Sequence, residues 1–193
     1  MPAHPAAERH FDPFSRALHW LTAIAVLIAF ILGPGGFGRM VRQGIDPATR
    51  PDIVWHESLG VLVFVLTLVR LGWMAMRPAA PQFEMSSWMR TASKCVMGLM
   101  VLLVLLVPIT AMITLGSKGV PATLLGGVRL NALGFLSGTP FGALTDWGDV
   151  HGFLGDALMW LAGVHAAAAL YHQFLLRDGV LASMLPWLDR RRS

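Results

Sequence analysis

Five histidines lie where a histidine is costly. His19, His56, His151, His165 and His172 fall in long apolar stretches, whereas His4 and His10 belong to the polar start of the chain and are set aside. An imidazole among apolar side chains in a membrane needs a partner: a hydrogen bond, a proton relay or a metal. Three of the five share one stretch, "VHGFLGDALMWLAGVHAAAALYHQ" (150–173), spaced fourteen and then seven apart. In a helix each residue turns about 100° and rises about 1.5 Å, so His151 and His165 stand about 40° apart around the axis and about 21 Å apart along it. His172 continues nearly the same face about 10 Å further on. One helix thus offers ligand-type side chains on one face at different depths.

The elements that carry them are membrane spans. The chain has 193 residues, 55% hydrophobic and 13% charged, where a soluble domain has about 25% charged residues. A span needs roughly 20 mostly apolar residues. Four stretches qualify, about Phe14–Leu32, Ile53–Met76, Ala92–Leu115 and Val150–Leu176. The expected fold is an all-α, integral membrane four-helix bundle, read as one domain over residues 1–193. Pro34-Gly35-Gly36, Arg77-Pro78 and Asp178-Gly179 close three of the spans, and Pro108 should kink the third. The longest connection, Gly116–Asp149, holds a stretch, Leu124–Leu136, expected as a short interfacial helix.

Charge sets the orientation. Lys and Arg concentrate on the cytoplasmic side of membrane proteins. Arg9, Arg16, Arg70, Arg77, Arg90, Lys94, Arg177, Arg190, Arg191 and Arg192 fall on the side of the termini; Arg39, Arg42, Arg50, Lys118 and Arg129 fall on the other. Ten against five places both termini in the cytoplasm. The net charge of +4 therefore reflects topology rather than nucleic-acid binding. Trp20, Trp55, Trp73, Trp88, Trp147 and Trp187 lie near span ends, as interfacial anchors do. The single cysteine, Cys95, excludes a disulfide framework and a Cys-x-x-Cys-His attachment of c-type haem. The polar start, Met1–Pro13, reads as lacking a removable signal peptide.

Orientation turns spacing into pairs. His56 and His151 both lie near the outer ends of their spans. His19 and His165 both lie in the cytoplasmic half. Each pair draws on two different helices. Two imidazoles facing each other across a bundle can hold an iron porphyrin from both sides, and axial ligands are a main control on haem potential. Two such haems stacked through the bilayer would conduct electrons. Gly60 and Gly155, one turn after His56 and His151, with Gly152, Gly163 and Ala166–Ala169, would give a macrocycle room; small residues also serve ordinary helix packing in membranes. Arg16 and Arg70 lie at the inner level and suit haem propionates, or snorkel to the interface. Asp156, one turn past His151, is the expected hydrogen-bond partner of that histidine. A zinc or copper site would want three or four ligands at one level. A transporter or proton channel with histidine relays is the alternative that needs no haem.

The segments "SRALHW" (15–20), "WHESLGVLVFVLTLVRL" (55–71) and "VHGFLGDALMWLAGVHAAAALYH" (150–172) resemble the bacterial di-haem cytochrome b561 family over nearly the whole chain. The likeness is greatest to its superoxide oxidases. The resemblance implies two b haems ligated by His19, His56, His151 and His165. It implies a superoxide:ubiquinone oxidoreductase that takes electrons from superoxide at the periplasmic face and delivers them to ubiquinone at the cytoplasmic side. His172 would contact the quinone, with Lys94 at the same level, or else partner a propionate. Arg39, Arg42, Arg50, Lys118 and Arg129 would steer the superoxide anion. The other reading is a cytochrome b subunit passing electrons between a partner dehydrogenase and the quinone pool.

Overall fold

The computed structural model describes residues 10–33, 35–77, 81 and 83–188. His4, Arg9, Pro34, Pro78 and Arg190–Arg192, used above, lie outside the described residues. Four helices are long and apolar enough to cross a membrane: α1 (Pro13–Ile31), α3 (Pro51–Met76), α4 (Ser87–Ser117) and α5 (Trp147–Tyr171), which runs on as a π-helical turn to Leu176. Between them α2 (Phe37–Arg42) and a hairpin of β1 (Ala122–Thr123) and β2 (Arg129–Leu130) cover the end away from the termini, the outer end in the orientation read above. A last short helix, α6 (Val180–Met184), returns to the inner end, where the Phe11 amide donates to Ser183 O at 3.1 Å.

Two of the long helices start at a capping carboxylate. Asp12 caps α1 by accepting from the Ser15 amide at 2.9 Å, and Pro13 follows at the first helical position, where a missing N–H costs nothing. Asp146 caps α5 through the Gly148 amide, also at 2.9 Å. Pro108 lies inside α4, as expected. Nearby hydroxyls turn back onto the helix, with Thr110 donating to Leu106 O and Val107 O at 2.9 Å each.

The four spans are not packed evenly. α1 packs closely on α3, α4 closely on α5, and α3 more lightly on α4. Among the described residues neither α1 nor α3 packs extensively against α5. The tight seams are built from Leu18, Thr22 and Ala25 of α1, Val63 and Thr67 of α3, and Leu103, Thr110 and Leu158 of α4 and α5, all buried. Threonines and alanines here suit a membrane interior, where close backbone approach replaces the hydrophobic drive. Between α5 and the α1–α3 pair the facing side chains are histidines.

The outer connection corrects one expectation. Of Leu124–Leu136, only Gly134–Leu136 is helical, as one 3-10 turn. The earlier part is the hairpin. Gly126 and Gly127 take φ of 84° and 80°, a left-handed pair that closes a tight two-stranded turn and that other residues adopt at a cost. At Gly116, a Cβ would collide with the main chain at Leu133, so a glycine is needed where the loop folds down on the end of α4.

Candidate functional site

The structure brings His56 and His151 together at the outer level, with ring centres 5.9 Å apart and ring planes at 88°. His19 and His165 meet at the inner level, 6.4 Å apart at 69°. These are the two pairs expected from span depth. The outer rings are braced from behind. His56 Nδ1 donates to Ala29 O at 2.8 Å, and His151 Nδ1 donates to Val107 O at 3.0 Å. Both acceptors are carbonyls, so Nδ1 must carry the proton, and Nε2 is left with its lone pair free.

One of the two acceptors is available for an identifiable reason. Ala29 lies in the last turn of α1, where carbonyls lack partners. The amide that would reach it, Gly33, bonds Phe30 O instead. Val107 O also accepts from Thr110 Oγ1 at 2.9 Å, one residue before Pro108, whose missing N–H leaves the carbonyl of Val104 without its helical donor. The carboxylate expected behind His151 is not the partner: Asp156 points outward and is exposed, and the Val107 carbonyl takes its place.

The inner pair lacks such bracing. Among the described residues neither His19 nor His165 makes a hydrogen bond. Cations surround it instead. The Arg70 guanidinium acts electrostatically on both rings. Arg16, one turn before His19, has its Nε buried without a hydrogen-bond partner. A buried guanidinium nitrogen with nothing to bond is expensive, and it calls for an anion.

The sequence matches the prokaryotic cytochrome b561 family over residues 10–187. This chain belongs to that family. It is 32% identical to cytochrome b562 of Cereibacter sphaeroides over 170 residues, covering 87% of this chain and 90% of that one. It is 27% identical to cytochrome b561 homolog 2 of Escherichia coli over 177 residues, covering 91% and 90%. The b561 family members are membrane electron-transfer cytochromes, and they carry b-type haem.

The residues present fit such a group. A metal gripped between two imidazoles takes a bond of about 2.0–2.1 Å on each side, which with the radius of each ring separates the ring centres by ~6 Å. Both pairs have that separation. At Gly60 and Gly155, one turn after His56 and His151, an added Cβ would meet nothing within 4 Å, so there is room beside the outer histidines; Gly152 and Gly163 are exposed. The unpartnered Arg16 Nε suits a propionate. Among the described residues no cluster of three or more His, Cys, Asp or Glu side chains could hold a bare metal ion, in keeping with two ligands per level.

At the inner end of α5 the helix widens. His172 begins the π-turn, and the Arg177 amide reaches back five residues to His172 O at 2.7 Å. Arg177 takes a left-handed φ of 56°, which returns the chain so that Asp178 Oδ2 lies 2.5 Å from His172 Nδ1. Single π-turns recur at functional sites. The sequence reading missed Asp178, six residues beyond His172. Lys94 is exposed on α4, and the structure shows no hydrogen bond or ion pair for it among the described residues. Tyr171 is exposed.

The outer cations are largely paired. Arg50 bonds Asp52, Arg129 bonds Asp46 at 2.5 Å, and Lys118 lies 3.5 Å from Asp146. The Gly148 amide and then Lys118 hold the Asp146 carboxyl below the usual carboxylate range. Arg39 and Arg42, at the end of α2, are the remaining two. The outer surface is therefore a mosaic of both signs rather than a positive field.

Proposed function

We propose that this chain carries electrons through the bacterial cell membrane, from superoxide at the periplasmic face to ubiquinone at the cytoplasmic side, as one transmembrane domain over residues 1–193. The reading is carried by one observation: two pairs of facing histidines, each drawn from two helices, at two depths of one bundle. His56 and His151 would hold an outer b haem, and His19 and His165 an inner one. Each iron, when bound, supplies a centre that exchanges one electron. The balanced reaction takes two superoxide anions and one quinone with two protons to two dioxygen molecules and one quinol.

The protein's own groups bind, orient and move protons. The main-chain carbonyls of Ala29 and Val107 fix the outer rings and their tautomer. Arg16 and Arg70 supply the positive charge that propionates need. His172, with Nδ1–H held by Asp178, would as the doubly protonated ring donate Nε2–H to a quinone carbonyl and pass that proton on reduction. Lys94 belongs to the same inner level. Both termini would lie in the cytoplasm.

The pairing of the outer cations favours a second donor. With Arg50, Lys118 and Arg129 each beside a carboxylate, steering of a small anion rests on Arg39 and Arg42. A partner dehydrogenase docking on the mixed-charge outer loops would deliver electrons without such a field. One experiment separates the two. Purified protein in lipid is exposed to superoxide, and haem reduction and quinol formation are followed at rising salt. Rapid reduction that slows with salt supports superoxide. No reduction by superoxide, with reduction by a co-purifying dehydrogenase, assigns the second donor. A colourless preparation rejects both.

A further inference from the structure

The turn of α3 that carries His56 also holds down the outer hairpin. Glu57 Oε2 accepts from the Thr123 amide at 2.6 Å, across 66 residues of sequence. Ser58 Oγ accepts from the Leu125 amide at 2.9 Å and donates to Val54 O at 2.6 Å. Thr123 ends β1 and Leu125 opens the turn two residues on, and both amides are turned towards α3. The outer edge of the hairpin is thus satisfied by two consecutive helix side chains rather than by another strand. The far strand is tied down separately, by Arg129 on Asp46. Ala122 and Thr123 are buried beneath it.

Glu57 differs from the other outer carboxylates. Asp46, Asp52 and Asp146 each face a cation, and Asp149 is exposed. Glu57 is half-buried and accepts from a neutral amide, with no cation partner among the described residues. Water screens a half-buried carboxylate only in part, and with no counter-ion its negative charge is still felt by neighbours. The neighbour in the chain is His56.

We infer that Glu57 is a positioning residue for the outer histidine pair, fixing the hairpin beside it through the Thr123 amide and placing an uncompensated negative charge next to that centre. This rests on the reading of His56 and His151 as holders of a haem. An anion beside an iron favours its oxidised form, since net local charge is one of the determinants of haem potential. A hairpin held in place also limits contact between that centre and water. The outer centre should then have a lower potential than its ligands alone would set, and a controlled opening to its donor.

Two variants separate the charge from the tether. Glu57→Gln keeps an oxygen to accept from Thr123 but removes the charge. Glu57→Ala removes both. Redox titration reads the midpoints of both haems, the outer one being identified as that lost in His151→Ala. Hydrogen exchange reads the Thr123 and Leu125 amides without reference to activity. In Glu57→Gln the outer midpoint should rise by about a factor of ten in the reduced-to-oxidised ratio, about 59 mV for one electron, with the inner one unchanged. Thr123 exchange should stay at the parent rate. In Glu57→Ala the same rise should come with Thr123 exchange faster by about tenfold or more, the loss of one charge-assisted bond. An outer midpoint that stays put in Glu57→Gln, an equal shift of both haems, or an unchanged Thr123 rate in Glu57→Ala overturns the inference. A preparation without haem overturns the haem reading instead, and the exchange arm still reports on the tether.

Discussion

At the outer end His56 and His151 each donate from Nδ1 to a main-chain carbonyl; at the inner end His19 and His165 make no hydrogen bond among the described residues and have Arg16 and Arg70 for company. The outer rings are held by the backbone before any ligand arrives. The inner rings are oriented by packing alone, in a field that favours an anionic group. The charges differ in sign as well, with Glu57 beside the outer pair and two guanidiniums beside the inner. Anions lower and cations raise an iron centre's potential, so an electron would run downhill from the outer level to the inner. The two ends thus divide the work: one fixes geometry, the other supplies a driving charge.

The largest effect that tests this contrast is loss of a centre. If each pair holds one haem, as proposed, His151→Ala should halve the haem content, and His165→Ala should do the same with loss of the other spectral component. Quantitation as the pyridine adduct checks it. If either substitution leaves the content unchanged, the pairing by level is wrong. The next effect tests the charge. Arg70→Gln should lower the inner midpoint by about a factor of ten in the reduced-to-oxidised ratio, about 59 mV, and leave the outer one in place. Potentiometric titration decides, and an equal fall of both midpoints would remove the distinction between the ends.

A smaller effect tests the brace. Pro108→Ala restores an amide that can bond the Val104 carbonyl, so the turn carrying Val107 should close up and the bond from His151 should lengthen. Loss of a ligand's hydrogen-bond partner costs about 10- to 100-fold in metal affinity. A weakened one should cost the low end of that, about tenfold or less. Haem dissociation rates should change at the outer centre alone. Faster release from the inner centre instead would mean that Pro108 shapes the whole bundle rather than one bond.

These features differ in how far the sequence exposes them. The four spans and the level-matched histidines follow from local properties, hydropathy over a window and rotation per residue, so His56 with His151 and His19 with His165 were readable as pairs. The braces were not. Ala29 lies 27 residues from His56, and Val107 lies 44 from His151; a carbonyl has no letter in a sequence. The nearest carboxylate in the chain after His151 within the span is Asp156, five residues on, and it faces outward. The hairpin was hidden differently. Leu124–Leu136 is apolar enough to read as an interfacial helix, and Gly126-Gly127 was the local signal against it. Its attachment to Glu57 depends on how the outer loop folds back on α3, which no periodicity encodes. Asp178 was within sight of His172 but needed the π-turn to reach it.

The smallest effect concerns the inner end of the α1–α3 seam, on which the inner pair relies in place of hydrogen bonds. Asp12 accepts from the Ser15 amide and hydroxyl and from Trp73 Nε1 at 3.2 Å, and lies 3.8 Å from Arg77. It joins the start of α1, three residues before Arg16, to the end of α3. Burial raises its pKa, but the bonds from Ser15 and Trp73 and the charge of Arg77 outweigh that and leave the carboxyl below its usual 3.8. A folded-state pKa below the unfolded one gives stability that is fully present above the unfolded value and lost as pH falls through the folded one. Asp12→Asn should therefore cost about 1 kcal/mol, the usual worth of a helix cap, or about 2–4 °C in melting temperature for a chain of this size. That gap should stay constant from pH 8 to pH 5 and close only in stronger acid, as the parent's own carboxyl takes up a proton. Thermal melts of both proteins in detergent, followed through the inner haem band, make the measurement. A gap that closes near neutral pH would point to a different titrating group. A gap in melting with no change in inner haem retention would show that His19 and His165 are held by something other than this seam.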